Sequence, residues 1–244
     1  MGSFDLATSA SSDEVVARLR KTGVIRIEKY LPNVSEIRDE LLSIYDKMES
    51  NYQFGKVIRS DNLSWDTSRT PMTTAFFRQS EWMHNIATGY QALRAGFQKD
   101  LFSSHDYLAC NGTGPQGWAH FDRLQRFKFF LYVSDVDENC GPICAAPGTH
   151  KLTKAVLRKR NRDPDAPDRW RFGRYYGDPA ICTKDDWAQG AIDGSQNHYP
   201  DVEYELISMV GQAGTLVVFD SDVFHCGGAV KPGHSRMVAR AHSW

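Results

Sequence analysis

Arg126-Phe127-Lys128-Phe129-Phe130-Leu131-Tyr132-Val133 is the strongest strand signal in the chain, a run rich in aromatic and branched residues. Around it the sequence changes character. From about residue 103 onward it reads as short strands and turns: a strand over Asp106–Cys110, a turn at Asn111-Gly112-Thr113-Gly114-Pro115, and another at Pro147-Gly148-Thr149-His150. A polar, basic insertion follows from Lys151 to about Gly194. Strands resume at Tyr204–Ile207, Thr215–Phe219 and Arg236–Ala241, with Gly211 and Gly214 marking the turn between the first two. Upstream the signals are helical. Residues 1–10 read as a loose tail. Ser11 and Glu14 have the spacing of a capping box, opening a helix to about Lys21 that Gly23 stops. Val24–Ile27 reads as a strand, Ser35–Met48 as a helix burying Ile37, Leu41, Leu42 and Tyr45, and a further helix starts near Ser80 with Trp82, Ile86, Tyr90 and Leu93. Residues 51–75 lack a period and read as a long loop, a common position for a lid. Helices first and short strands after predict a mainly β protein, with a sandwich or jelly-roll core and an N-terminal helical layer.

With 244 residues, the chain has the length of one domain with a substantial core, and its 41% hydrophobic and 24% charged content is ordinary for a globular protein. The expected organisation is a single domain over 1–244, with a helical layer and lid over about 11–100 and a jelly-roll core over about 103–244, interrupted by the insertion. A net charge of -1 gives no general attraction to nucleic acid or anionic membrane. No apolar run suits a membrane helix, and the N-terminus has neither a secretory core nor, with Leu6 at position six, a myristoylation pattern. Five irregularly spaced cysteines (Cys110, Cys140, Cys144, Cys182, Cys226) argue against a disulfide framework and predict a reducing, cytoplasmic setting. Cys140 and Cys144 lack the second pair that a structural zinc site would need.

The chemistry-bearing residues are His120 and Asp122, a His-x-Asp pair, and His225 far downstream. Along extended backbone, residues i and i+2 face the same way, so His120 and Asp122 can reach one ion without a helix. Two imidazoles and a carboxylate can cover one face of Fe(II) and leave the other open. Arg236 follows His225 by eleven residues, and its guanidinium fork suits a dicarboxylate.

Taken with Asn139, Gly141, Pro142 and the turn Pro147-Gly148-Thr149-His150-Lys151, these residues resemble the phytanoyl-CoA dioxygenase family of Fe(II)/2-oxoglutarate oxygenases. Phe129, Leu131, Val133 and Asp135 match its strand ending in an acidic turn, and Lys21–Ile25 its first strand. The likeness is weak over 51–100 and 155–200. The resemblance implies a double-stranded β-helix (jelly-roll, cupin-like) fold, iron held by His120, Asp122 and His225, and the distal carboxylate of 2-oxoglutarate held by Arg236. Phe130 would lie beside the co-substrate. Gly227 stands where several relatives carry Ser, and Thr215 or Lys128 would replace that hydroxyl. Asp122 favours oxygenation over halogenation, which needs a small residue there. The implied reaction spends O2 and 2-oxoglutarate, releases succinate and CO2, and oxidises a C–H bond of a small molecule of specialised metabolism by hydroxylation, desaturation or cyclisation.

Other residues have plainer readings beside functional ones. Trp118, Trp65 and Phe54 could line a substrate pocket or simply pack. His105, His150, His198, His234 and His242 read as structural, and Cys226 as a small buried residue. Basic residues from Lys154 to Arg174, interleaved with Asp163, Asp165 and Asp168, read as a solvated surface or as a rim for an anionic or carrier-linked substrate. Two alternatives to the oxygenase stay open: a catalytically silent jelly-roll that binds a metal or ligand, and a cupin-type metal-dependent isomerase or hydrolase. Substrate and oligomeric state are not encoded in any motif.

Overall fold

The computed structural model describes residues 4–49, 51–53, 56–64, 66–91, 99–109, 127–151 and 205–243. His120, Asp122, Trp118, Trp65, Phe54, Leu93, Cys110, the 111–115 turn and nearly all of the basic insertion lie outside them.

Among the described residues, two sheets form the β framework. The larger has eight strands: β1 (Asp5–Leu6), β2 (Val24–Ile27), β9 (Leu216–Asp220), β6 (Phe127–Tyr132), β11 (Ser235–Ser243), β5 (Lys99–Ala109), β4 (Lys56–Asn62) and β3 (Asn51–Gln53), in that spatial order. The smaller has three among the described residues, β10 (Phe224–Gly227), β7 (Ile143–Ala146) and β8 (Ile207–Met209). The fold is a mainly β jelly roll of the cupin kind. Strand β6 explains why its sequence reads so strongly: it is central, and every residue from Phe127 to Tyr132 is buried. Its odd positions, Phe127, Phe129 and Leu131, enter one core with Leu216 and Val218 of β9 and Met237, Ala239 and Ala241 of β11. Its even positions, Phe130 and Tyr132, enter a second core with Val217, Phe219 and Val238, and meet Ile143, Ala145 and Met209 of the small sheet. The period-two alternation of a strand thus divides two cores.

The helices fill the first core. Helix α1 (Ser12–Thr22) starts on the expected capping box and ends on Gly23 in the left-handed region, φ 74°. It contributes Val15, Val16 and Leu19; α2 (Ser35–Tyr45) contributes Ile37, Leu41, Ile44 and Tyr45; α4 (Glu81–Gln91) contributes Met83, Ile86 and Ala87. Among the described residues no helix is long and apolar enough to cross a membrane.

Several expected boundaries move. Residues 51–75 are not a structureless loop: they hold β3, β4, a short 3-10 turn (Thr67–Arg69) and the start of α3 (Pro71–Arg78). Strand β4 pairs with β5 next to the edge strand β3, and its Lys56, Arg59, Ser60, Asp61 and Asn62 give little apolar signal. Helix α3 is capped from a distance. The Glu40 carboxylate of α2 accepts the Met72 and Thr73 backbone N–H groups at 2.6 and 2.9 Å, so no local cap marks its start. Strands β1 to β4 also join the large sheet, so the β framework begins well before residue 103. Helix α2 stops at Tyr45 rather than Met48, and the strand expected at 204–207 falls at Ile207–Met209. The short β7 and β10 give too few residues for a pattern and were not expected.

Candidate functional site

The inner face of the large sheet is a ladder of side chains set by register. Phe219, Lys128, His242 and Asp100 are successive neighbours across β9, β6, β11 and β5. The next rung is Val217, Phe130, Arg240 and Phe102. Two rungs further along, Arg236 pairs with Asp106. Opposite this face, His225 lies on β10 beside Ala145 of β7. It lies on a strand of its own in the small sheet, a few residues after β9 ends at Asp220.

His225 is 4% exposed, and its ring centre is 4.9 Å from that of Phe219. Its Nδ1 is 2.7 Å from the Val223 carbonyl oxygen. A carbonyl only accepts, so Nδ1 carries the proton and Nε2 presents a lone pair. That lone pair faces inward, with Lys128 Nζ 3.4 Å away. Lys128 is itself buried, and its charged end lies 5.5 Å from the Phe219 ring centre. A cation therefore stands against Nε2. A backbone carbonyl fixing one imidazole nitrogen leaves the other able to ligate a metal.

The turn that delivers the Val223 carbonyl is unusually polar for its burial. Asp220, Ser221 and Asp222 are at most 1% exposed. Tyr90 of α4 donates its hydroxyl to Asp220 Oδ2 at 2.8 Å, while Asp220 Oδ1 accepts the Asp222 N–H at 3.0 Å. Burial, with Asp220 beside it, pushes the Tyr90 hydroxyl pKa far up, so it stays a donor. The Asp220 N–H donates to the Gly23 carbonyl at 2.9 Å. Sequence reasoning missed Tyr90 and Asp220 as positioning groups; an acidic residue closing an apolar strand is the signal that was available.

Phe130 is buried between Phe219, 5.4 Å away, and the Arg240 guanidinium, 5.6 Å from its ring centre. His242 stacks on it at 6.3 Å and 20°. Two histidines expected to be structural thus differ: His242 faces this ladder, whereas His150 sits under α1 with Nε2 3.3 Å from the Arg20 carbonyl.

Arg236 is buried with its charge matched. Its Nε donates to Asp106 Oδ2 at 3.1 Å, its Nη2 to the same oxygen, and its Nη1 to the Gly141 carbonyl. Burial opposes the charge, but Asp106, with Tyr132, outweighs it, and the pKa is raised. Of five guanidinium N–H bonds, three are used in this way and, among the described residues, one remains on each terminal nitrogen. Asp106 was not foreseen as its partner. Thr215 lies beyond Tyr132 with its side chain against Gly211, and its hydroxyl finds no partner among the described residues. The structure thus brings His225, Lys128 and Phe130 together, sets Arg236 two rungs beyond Arg240, and leaves Thr215 apart from them.

With His225 on the small sheet and Lys128, Arg240 and Arg236 on the facing sheet, the framework is that of a cupin-type jelly roll. The model of the phytanoyl-CoA dioxygenase (PhyH) family matches residues 19–238, and the chain belongs to that family. Solved structures share its fold. The non-heme alpha ketoglutarate dependent carbocyclase SnoK from nogalamycin biosynthesis superposes with a TM-score of 0.63 at 14% identity, covering 96% of this chain and 85% of SnoK. The epimerase SnoN from the same biosynthesis, in complex with Fe3+, alpha ketoglutarate and nogalamycin RO, gives 0.60 at 13%, covering 95% and 82%. HygX from Streptomyces hygroscopicus, with nickel and 2-oxoglutarate bound, gives 0.54 at 9%, covering 96% and 87%. At such identities the likeness is one of fold. A search of curated proteins finds no match.

Proposed function

We propose that this chain is a single-domain, non-haem Fe(II)- and 2-oxoglutarate-dependent oxygenase acting on a small molecule. The observation that carries the reading is His225: a buried imidazole whose Nδ1 is tied to Val223 and whose Nε2 already faces a cation. Membership of a dioxygenase family and a fold shared with proteins holding iron or nickel and 2-oxoglutarate support it. His120 and Asp122 would complete the ligand set with His225. The donor chemistry fits, since two neutral imidazoles and a carboxylate suit ferrous iron and leave coordination positions open.

Bound there, iron with 2-oxoglutarate and O2 supplies oxidising power for a C–H bond, with succinate and CO2 as co-products. The chain's part is to hold and to exclude. The Val223 carbonyl keeps Nε2 of His225 unprotonated. Lys128 places positive charge beside that nitrogen, where an anionic co-substrate would lie. Arg236, its plane set by Asp106 and Gly141, would turn its two remaining N–H bonds to the distal carboxylate. Phe130, Phe219 and Phe102 keep water from the inner face. Asp122 favours oxygenation over halogenation. Trp118, Trp65 and Phe54 would meet the substrate, and the basic residues from Lys154 to Arg174 would admit an anionic or carrier-linked one. A specialised-metabolism substrate fits the biosynthetic setting of SnoK and SnoN; because one is a carbocyclase and the other an epimerase, the fold does not select hydroxylation.

The test is succinate formation from 2-oxoglutarate with Fe(II), in air and under argon, across candidate substrates. Oxygen-dependent succinate that His225→Ala abolishes is expected. No 2-oxoglutarate binding and no oxygen-dependent turnover would refute the proposal.

A further inference from the structure

We infer that Asp137, Cys140 and His234 form a second metal site, for zinc or a similar borderline-soft divalent ion, on the loops that close the barrel beside Arg236. One ligand atom from each lies within 4.8 Å of the other two, and among the described residues this is the group that could hold an ion. Cys140 Sγ is 3.9 Å from His234 Nδ1. Tetrahedral zinc, with Zn–S about 2.3 Å and Zn–N about 2.0 Å, needs that separation to be roughly 3.5 Å. Closure by a few tenths of an ångström is within side-chain motion.

The backbone already brings the three together. Asp137 Oδ1 accepts the Asn139 and Cys140 N–H groups at 2.7 and 3.1 Å, and its other oxygen carries no bond among the described residues. Cys140 bridges to Val230, and Lys231 N–H donates to the Asn139 carbonyl at 2.8 Å, pinning the 137–142 loop to the turn before β11. Gly233 makes that turn with φ 80°, and the His234 N–H donates to the Lys231 carbonyl at 3.0 Å. Asp137 is exposed and Cys140 and His234 half-buried, so a water can take the fourth position.

The donor set selects the ion. One thiolate, one imidazole and one carboxylate suit zinc or cobalt(II), whereas magnesium and calcium prefer oxygen alone. Hydrogen bonds from Asn139 and Cys140 hold the Asp137 carboxyl below its usual range, and burial pushes the Cys140 thiol up. Binding therefore transfers the Cys140 proton to solvent as sulfur donates its lone pair, and tightens as pH rises.

The location gives the ion a task. Gly141, next to Cys140, presents the carbonyl that holds Arg236 Nη1, and His234 is two residues before Arg236. An ion there would clamp both loops that fix the Arg236 guanidinium. The ligands are distinct from His225, so the site stands whether or not the oxygenase reading does.

Cobalt(II) titration of the full chain tests it. A thiolate-to-cobalt charge-transfer band should saturate at one equivalent, persist in His225→Ala, vanish in Cys140→Ser, and require at least tenfold more cobalt in His234→Ala. Zinc should raise the melting temperature of the parent chain but not of His234→Ala. No band at stoichiometric cobalt, or a band unchanged in both His234→Ala and Asp137→Asn, overturns the site, even if Cys140→Ser fails to fold. A band that survives in folded Cys140→Ser does the same and leaves Cys140 and His234 as an ordinary hydrogen-bonded pair.

Discussion

Lys128 Nζ lies 3.4 Å from Nε2 of His225, against the ring nitrogen that Val223 leaves with its lone pair. Lysine and metal compete for that lone pair, while lysine and co-substrate attract. Lys128→Met should therefore leave Fe(II) affinity equal or tighter and raise the 2-oxoglutarate KM by roughly tenfold, equivalent to about 1.4 kcal/mol. Anaerobic iron titration and initial rates measure the two separately. Weakened iron binding with an unchanged KM would assign Lys128 the opposite role.

The Arg236–Asp106 pair is buried on both sides, each side chain 7% exposed. Removing one partner strands the other's charge away from water. Asp106→Asn should cost about 3–5 kcal/mol in urea unfolding. It should also weaken 2-oxoglutarate binding, because the guanidinium plane loses its anchor. Asp106→Asn/Arg236→Met should recover part of the stability and none of the binding.

Gly23 joins the fold to the site. A Cβ there would meet Val223 Cγ2 at 2.3 Å and His150 Nδ1 at 2.5 Å, and its φ is +74°. Gly23→Ala should lose at least about 1–3 kcal/mol from backbone strain alone. Displacement of Val223 should also lower iron affinity, which a substitution disturbing only α1 would not do. Thermal melts and iron titration on the same protein distinguish the two effects.

His105 gives the protein a pH dependence. Burial, with Arg59, outweighs Asp106 and lowers its pKa from the ordinary 6.5. Between the folded value and 6.5 the unfolded chain binds more protons, so stability rises with pH there. It is held above about pH 6.5 and lost as pH falls below that toward the folded pKa. His105→Gln should flatten this part of the melting-temperature profile. An unchanged slope would contradict the assignment.

The legible parts of the sequence were those with local causes. The capping box of α1, Gly23, the aromatic alternation of β6 and the Pro147–His150 turn each carry their reason within a few residues. What was missed depends on partners distant in sequence: Glu40 capping α3, β4 leaning on β5, and short β7 and β10 completing each other. The site divides in the same way. His225 could be named from its motif, and Lys128 and Phe130 from the family resemblance, and register then set them close together. Asp106 as the partner of Arg236, and Tyr90 as the support of Asp220, lie 130 residues away along the chain. No local pattern links them, and Arg236 taken alone suggested a fork free for a ligand. The histidines show the same limit: His150 follows the turn after β7 and His242 lies on β11, and only the fold decides which of them faces the ladder.

His225 is proposed as one of the iron ligands at a 2-oxoglutarate site. Anaerobic titration of the Fe(II)-loaded chain with 2-oxoglutarate, followed by visible absorbance, tests it without knowledge of the substrate. A metal-to-ligand charge-transfer band that saturates at one equivalent, and is absent in His225→Ala, is predicted. No band in the parent chain, or the same band in folded His225→Ala, would contradict it.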